Sequence, residues 1–374
     1  MWLMENGGPV IRYRTATELM TPDKTPDIKR LQDDLLKSAQ VKTWLKNFEP
    51  PFLLNQKLMR QVEFTRASTE IHSSKDTALE NVLGKLTDFG LKKGMPELDS
   101  RVDLYLHWLK ETSAEYQEHF FVIWMRHEVA DFLARAGYID ESEVLKLIRT
   151  RLDMVYDFAR RGDYNIYVDP KNFKKMPASF AGRPLINPEL TRGQIRLPLS
   201  YDFIGWACLQ NKGSKEVRAQ ANTVVDYILD EKYQEFPWGY GIMFDEESRS
   251  FRAMGWSVHI PGFSKAVSGN LESMLRVFRL EQLAHFEAAR RHPWIKSNLE
   301  HLEQFKTADG TYLFPRDYLP EKPAAYWVMG GKMALEDSPR NKKAIEIEST
   351  FRMAKIKKSF SFPQESMSTI RKHC

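Results

Sequence analysis

IDESEVLKLIRTRLDMVYDFARRGDYNIYVD, residues 139–169, reads as an amphipathic helix that runs into a Gly-aromatic turn. Its apolar stripe of Val144, Leu147, Ile148, Leu152, Val155 and Phe158 follows the helical period. Asp140 and Glu143 make a D-x-x-E capping pattern at its start. Arg160 and Arg161 suit the negative end of its dipole, just before Gly162. The same order returns in RAQANTVVDYILDEKYQEFPWGYGIMFD (218–245) and, shorter, in SNLEHLEQFKTADGTYLFPRD (297–317). The pivotal glycines Gly162, Gly239 and Gly310 stand 77 and 71 residues apart, and LTDFGLKKG (86–94) puts Gly90 another 72 residues upstream. A fixed period implies units that bury their apolar faces only against their neighbours, so the repeat decides the architecture.

Around the repeat the signal is helical. VDLYLHWLKETSAEYQEHFFVIWMRHEVADFLARAG (102–137) predicts one or two long helices that stop at Gly137. SYDFIGWACLQ (200–210), SKEVRAQANTVVDYILDEKY (214–233) and LESMLRVFRLEQLAHFEAARR (271–291) follow, the last capped by Asn270, with Pro293 opening the next helix. Residues 170–199 hold five prolines and two glycines with little periodicity, a length of irregular chain often used for lids or binding loops. Upstream, ATELMTPDKTPDIKRLQDDLLKSAQ (16–40) reads as two helices broken at Pro22 and Pro26, the second capped by Asp27, and EPPF (49–52) breaks the arm from the rest. The expected class is all-α: paired helices joined by short extended turns. The expected division is an N-terminal helical arm (1–98), a repeat domain (99–337) and a basic C-terminal tail (338–374).

Composition narrows the function. Hydrophobic residues make up 42% of 374, with nine Trp, 14 Tyr and 22 Phe, enough for a large core. The net charge of +5 is concentrated after Ser338, where nine Lys/Arg face three Asp/Glu, leaving the body close to neutral. Nucleic-acid binding by the body is therefore not expected, while the tail could touch an anionic surface weakly or merely be solvated. Cys208 and Cys374 give neither a disulfide framework nor a Cys-rich metal site. MWLMENGGPVIRYR lacks the pattern of a secretory signal, and FFVIWM (120–125) is far short of a bilayer span, so the expected location is cytoplasmic. No P-loop, dinucleotide-binding G-x-G-x-x-G or G-x-S-x-G elbow occurs, and no cofactor is expected.

The turns FPWGYG (236–241), TADGTYLFP (307–315) and RRGDYN (160–165), with the opening PVIRYRTATELM (9–20), resemble the repeats of the squalene-cyclase and protein-prenyltransferase superfamily. The resemblance spans roughly residues 99–330 and implies an α/α toroid, complete or incomplete, in which an outer ring of helices wraps an inner one. It also implies a small-molecule ligand in a central aromatic cavity. The chain departs from the family in its chemistry. It has no D-x-D-D string, its nearest acidic pair (Asp33 and Asp34) sits on an N-terminal helix, and Cys208 lacks the Asp and His that complete a prenyltransferase zinc site.

The candidate residues each have a bland alternative. Asp202, in LSYDFIGWA (199–207), starts a helix after the long loop; an apolar wall would raise its pKa as a general acid requires, or it simply caps the helix. Tyr201 and Trp206 would line the cavity beside it. FRAMGWSVHIPGF (251–263) gathers Arg252, Trp256 and His259 on one loop, with His259 the second acid/base candidate. PRDYLPEKPAAYW (315–327) offers Arg316, Tyr326 and Trp327 to the same end, although aromatic residues also build ordinary cores. HEVAD (127–131) is one residue short of a zinc helix, with Asp131 in place of the second histidine; His127 is the weaker catalytic candidate, and Glu128 and Asp131 could equally face solvent. No metal is assigned. His119 with His127, and His285 with His292, are spaced to share a helix face. Three functions remain open: a cyclase- or prenyltransferase-like protein, a carbohydrate-active α/α-barrel enzyme (lyase or hydrolase), and a non-catalytic helical scaffold.

Overall fold

A computed structural model of the chain describes residues 1–21, 23, 26–48, 69–115, 120–173, 176–246, 249–321, 333–338 and 341–361. The N-terminal segment forms α1 (Trp2–Asn6) and α2 (Pro9–Arg14), the latter opened by Pro9 and continued by a π turn over Thr15–Leu19. Helix α3 (Ile28–Lys37) starts where the Asp27 carboxylate accepts the Arg30 N–H, and α4 (Ala39–Asn47) follows it. Next come α5 (Leu79–Asp88), α6 (Pro96–Glu115) and α7 (Phe120–Leu133), which closes in a π turn where Gly137 takes φ 99°. Helix α8 (Ser142–Ala159) is the repeat helix. Its side-chain cap is not made: Glu141 holds the N-cap position, and Asp140 pairs with Lys212 instead.

The irregular stretch carries β1 (Tyr167–Val168) and β2 (Leu185–Ile186), and leads to α9 (Asp202–Lys212), α10 (Lys215–Leu229) and the short α11 (Glu231–Gln234). Strands β3 (Gly241–Asp245) and β4 (Ser250–Met254) complete a four-stranded sheet in the order β1-β2-β3-β4, antiparallel except for the β2–β3 pair. The extended turns are thus gathered into one sheet, which local alternation alone does not reveal. The chain ends with α12 (Asn270–Leu283), α13 (Glu287–Arg291), α14 (Pro293–Glu303) and α15 (Lys342–Ser361). The protein is mostly helical, and among the described residues no helix is long and apolar enough to cross a membrane.

The four repeat glycines all take positive φ: 98° at Gly90, 62° at Gly162, 74° at Gly239 and 82° at Gly310. Such values favour glycine because a Cβ would clash with the backbone. Gly162, Gly239 and Gly310 each lead into an extended pairing. Gly90 instead ends α5 after an earlier helix of the succession, so the fourth copy is out of phase with the other three.

Helices α5, α7, α9, α12 and α15 pack in succession, α15 lies against α2 and its π turn, and Arg14 of α2 donates to the Asp88 carbonyl at the end of α5 at 2.7 Å. Of a second set, α3 packs on α2, α4 on α5, α6 and α8 on α7, and α8 and α10 on α9, while α13 packs on α10. One apolar core runs from Leu3 to Ile356 and takes in Val10, Leu83, Leu86, Val129, Leu280 and Phe351. This corrects the expectation of a solvated tail: Lys342–Ser361 is a helix, with Ile347, Phe351, Met353 and Ile356 buried in that core. Its positive charges fall between the apolar positions and pair with carboxylates, as Arg352 does with Glu348 and Glu281. The rest of the tail, 362–374, lies outside the described residues, as do Pro22, EPPF and His119.

Helix α9 touches α7 closely at Gly205, where an added Cβ would run into Asp131 Oδ1. Gly205→Ala is therefore expected to cost about 1–3 kcal/mol in urea unfolding through overpacking. Asp131→Ala in the same chain should recover part of that loss; no recovery would mean that the helices meet differently.

Candidate active site

Helix α7 carries His127, Glu128 and Asp131 into the interior, with exposures of 6%, 0% and 2%. This corrects the alternative of a solvent-facing pair. Consecutive residues on a helix point about 100° apart, so His127 and Glu128 face different neighbours.

Glu128 meets His72 and Glu80. His72 Nδ1 lies 2.8 Å from Glu80 Oε1 and 3.2 Å from Glu128 Oε1. Glu80, in the first turn of α5, is held by the Ser73 N–H at 2.9 Å, and the Asn81 side chain pins the same bend by donating to the Ser73 and Lys75 carbonyls. Both carboxylates are fully buried, whereas the His72 side chain keeps 17% exposure. Trp256 donates its indole N–H to His72 Nε2 at 3.1 Å and stacks on Trp124 with ring centres 5.2 Å apart. Tyr201 closes the aromatic wall, 6.4 Å from Trp256 and 6.5 Å from Trp124.

The charges in this cluster do not balance. Burial opposes a charged His72, but the two carboxylates and their hydrogen bonds outweigh it and hold its pKa well above the ordinary value. Even as an imidazolium, His72 leaves one buried negative charge unmatched within the three-residue cluster. The indole N–H only donates, so its bond to Nε2 belongs to the neutral ring with a proton on Nδ1, and in that state two negative charges remain. Glu128 Oε2 and the Tyr201 hydroxyl are buried with no hydrogen-bond partner. Burial, then the Glu128 charge, push the Tyr201 phenol well above its usual range, so it stays a neutral donor.

The same three residues could hold a cation: one ligand atom from each lies within 4.8 Å of the others, and imidazole with two carboxylates suits a divalent ion. An ion on Nδ1 would leave the ring proton on Nε2, so it excludes the Trp256 bond.

A second layer lies behind Tyr201. Asp202 accepts Arg151 Nε and Nη2, both at 2.8 Å, and the Leu199 N–H at 2.8 Å. Arg151 also reaches the Ile195 and Leu197 carbonyls. Asp131 sits beside this pair with Oδ2 unpartnered, and burial followed by the Asp202 charge raises its pKa well above the carboxylate range, so it is a neutral acid. His127 lines a cavity of about 20 Å³ with Trp124, Arg151 and Tyr201, and burial lowers its pKa to about 3.

The remaining sequence candidates scatter. His259 is fixed by the Pro237 carbonyl at 3.1 Å and Ser264 Oγ at 3.0 Å, with burial lowering its pKa to about 4. Trp206 packs on Phe203 in the core. Arg252 is on β4 facing Asp245, Arg316 lines a separate cavity of about 610 Å³, and Tyr326 and Trp327 lie outside the described residues. His292 caps α14, whereas His285 faces another cavity, so the two do not converge. Among the described candidates, Tyr201 and Trp256 come together at the cluster, with Asp202 behind Tyr201 and His127 lining the small cavity beside it. His72, Glu80 and Trp124 carry no local signal, because 48 residues separate Glu80 from Glu128. Comparison with known proteins adds no assignment: no family model, no curated protein and no solved structure matches the chain.

The histidines predict opposite pH limbs. His127, His259 and His285 are held neutral to about 3, 4 and 4 by burial, while the unfolded chain protonates near 6.5. The unfolded state then binds more protons below 6.5, and their contribution to stability is lost as pH falls from there towards 4. His72 is raised, so its contribution is complete below 6.5 and is lost as pH rises through its folded value. Urea midpoints measured across pH should show both limbs, and His72→Gln should flatten the alkaline one alone. An unchanged alkaline limb would contradict the charge assignment.

Proposed function

We propose that this chain is a carbohydrate-active enzyme on an α/α barrel, with acid–base chemistry at Glu128, His72 and Tyr201. The neighbour-to-neighbour packing of α2, α5, α7, α9, α12 and α15, with the second set outside, supports a closed toroid of the kind the repeats resemble. The observation that carries the function is the buried Glu128 oxygen left unpartnered beside an unpartnered Tyr201 hydroxyl. Uncompensated buried charge is a cost that a merely structural site removes, and groups poised this way concentrate where protons are moved. In this reading Glu128, its charge steadied by the His72 imidazolium, takes the proton from the carbon beside the uronate carboxylate. Neutral Tyr201 donates its proton to the departing oxygen as the C–O bond breaks and a C=C bond forms, and the proton on Glu128 returns to Tyr201 through solvent. The Trp124–Trp256 stack gives a sugar ring an apolar face, and His72, the partly exposed member, marks the way in.

A cyclase-like reading has one observation of its own: three aromatic rings around an anionic cluster would also stabilise a cationic intermediate. Against it, the cavity among the packed helices is lined by Asp88, Arg135, Glu281, Arg352 and Lys355, which an isoprenoid chain would leave without solvation. A scaffold would have no use for the unpartnered carboxylate.

Glu128→Gln separates these readings. It removes one surplus charge at constant shape, so the melting temperature should stay within about 2 °C of the parent or rise. Turnover of uronate-containing or neutral oligosaccharides should fall by at least about 10²-fold. A variant that unfolds would show that the cluster is structural, and turnover of prenyl diphosphates instead of sugars would favour the cyclase.

A further inference from the structure

A cavity of about 250 Å³ is lined by side chains of α9, α12 and α15, and His72, Glu80 and Glu128 are not among its lining residues. On α5 its lining residue Asp88 is eight positions beyond Glu80, about 12 Å along the axis. Its wall is ionic, and its groups are not all used. Arg352, 1% exposed, donates through Nε to Glu348 and through Nη1 to Glu281, both at 2.8 Å, while its buried Nη2 has no partner. Glu348 also accepts the Ala334 and Leu335 N–H groups, so the guanidinium is held rigidly. Glu281 Oε1 is likewise buried and unpartnered. Arg135 is engaged by Asp88 at 2.5 Å, and Lys355 has a carboxylate oxygen of Glu18 only at 3.9 Å. In the lining itself Arg135, Arg352 and Lys355 stand with Asp88 and Glu281. Glu348 and Glu18 pair with Arg352 and Lys355 from behind, and one spare donor and one spare acceptor remain in the same wall.

We propose that this cavity binds a small organic monoanion bearing a hydroxyl group, a hydroxycarboxylate. Its carboxylate accepts from the spare Arg352 Nη2 and from Lys355, and its hydroxyl donates to the spare Glu281 Oε1. The volume lies below the ~300–1,000 Å³ of pockets for drug-sized ligands, which limits the occupant to a compact molecule. The site is separate from the Glu128 cluster and does not depend on the role proposed there.

Cys208 lines the cavity and reports on it. Burial pushes its thiol up to about 12, so reagents label it slowly, and in a Cys374→Ser background it is the one thiol left. D-glycerate at millimolar concentration should raise the melting temperature and slow maleimide labelling of Cys208. Acetate, which lacks the hydroxyl, and glycerol, which lacks the charge, should do much less. Lys355→Met should weaken glycerate at least about tenfold in calorimetry without lowering the melting temperature of the free protein. Ala207→Leu, which fills the cavity, should abolish the effect in a folded protein, and Glu128→Gln should leave it intact. Equal responses to the three compounds, or protection that survives both cavity variants, would overturn the proposal.

Discussion

Helix α7 brings two carboxylates into the core three residues apart, and much of the surrounding structure accommodates them. Glu128 draws His72 and Glu80 into a cluster that a single imidazole cannot neutralise. Asp131 lies beside the Arg151–Asp202 pair, keeps its proton, and needs a glycine at position 205 of the facing helix. Burying carboxylates without full compensation costs stability, so their place in the middle of a helix packed on both sides calls for a use. The two meet different partners: burial and the Asp202 charge raise the Asp131 pKa, while Glu128 faces the His72 imidazole at 3.2 Å.

The helices around α7 are held by buried arginines as much as by apolar contact. Arg151 ties α8 to the start of α9, Arg279 ties α12 to Ser200 and the His259 carbonyl, and Arg352 ties α15 to α12. Arg14 joins α2 to the end of α5. Each guanidinium reaches two or more groups at fixed angles, which sets the rotation of neighbouring helices in a way that apolar stripes do not. The outcome is an interior in which buried charges share cavity walls with apolar side chains such as Phe203, Ile204 and Phe278. Aromatic rings are plentiful, but they concentrate at the Gly-containing turns and sheet, as in the Tyr164–Tyr227 stack and the Tyr233–Tyr240 hydroxyl pair.

What the sequence made legible follows from the range of the interactions. Gly162, Gly239 and Gly310 could be read because a positive φ after a helix is a local requirement, and Asp27 and Pro293 because caps act within one turn. Helix α15 was misread because its Lys and Arg residues dominate the composition while Ile347, Phe351 and Ile356 find their partners near the other terminus. The same limit governs the site. Tyr201 and Trp256 stand out by composition and do come together, but the partners that give them meaning arrive from two distant segments, His72 and Glu80 from one and Trp124 from α7. Asp202 stands out as an acid or a cap, and burial does raise its pKa, but the Arg151 that pairs with it lies 51 residues upstream and leaves no local signal. HEVAD drew notice for its histidine, whereas the residue facing the cluster is the glutamate next to it.

The most direct test is the protonation of His72, followed by NMR of selectively labelled histidine across pH with and without an acidic oligosaccharide. The account requires one imidazole that titrates well above the ordinary histidine value, vanishes in His72→Gln, and shifts on Glu128→Gln and on addition of the sugar. If His72 titrates at an ordinary value and ignores both, the carboxylates do not share its proton and the cluster is not the working site.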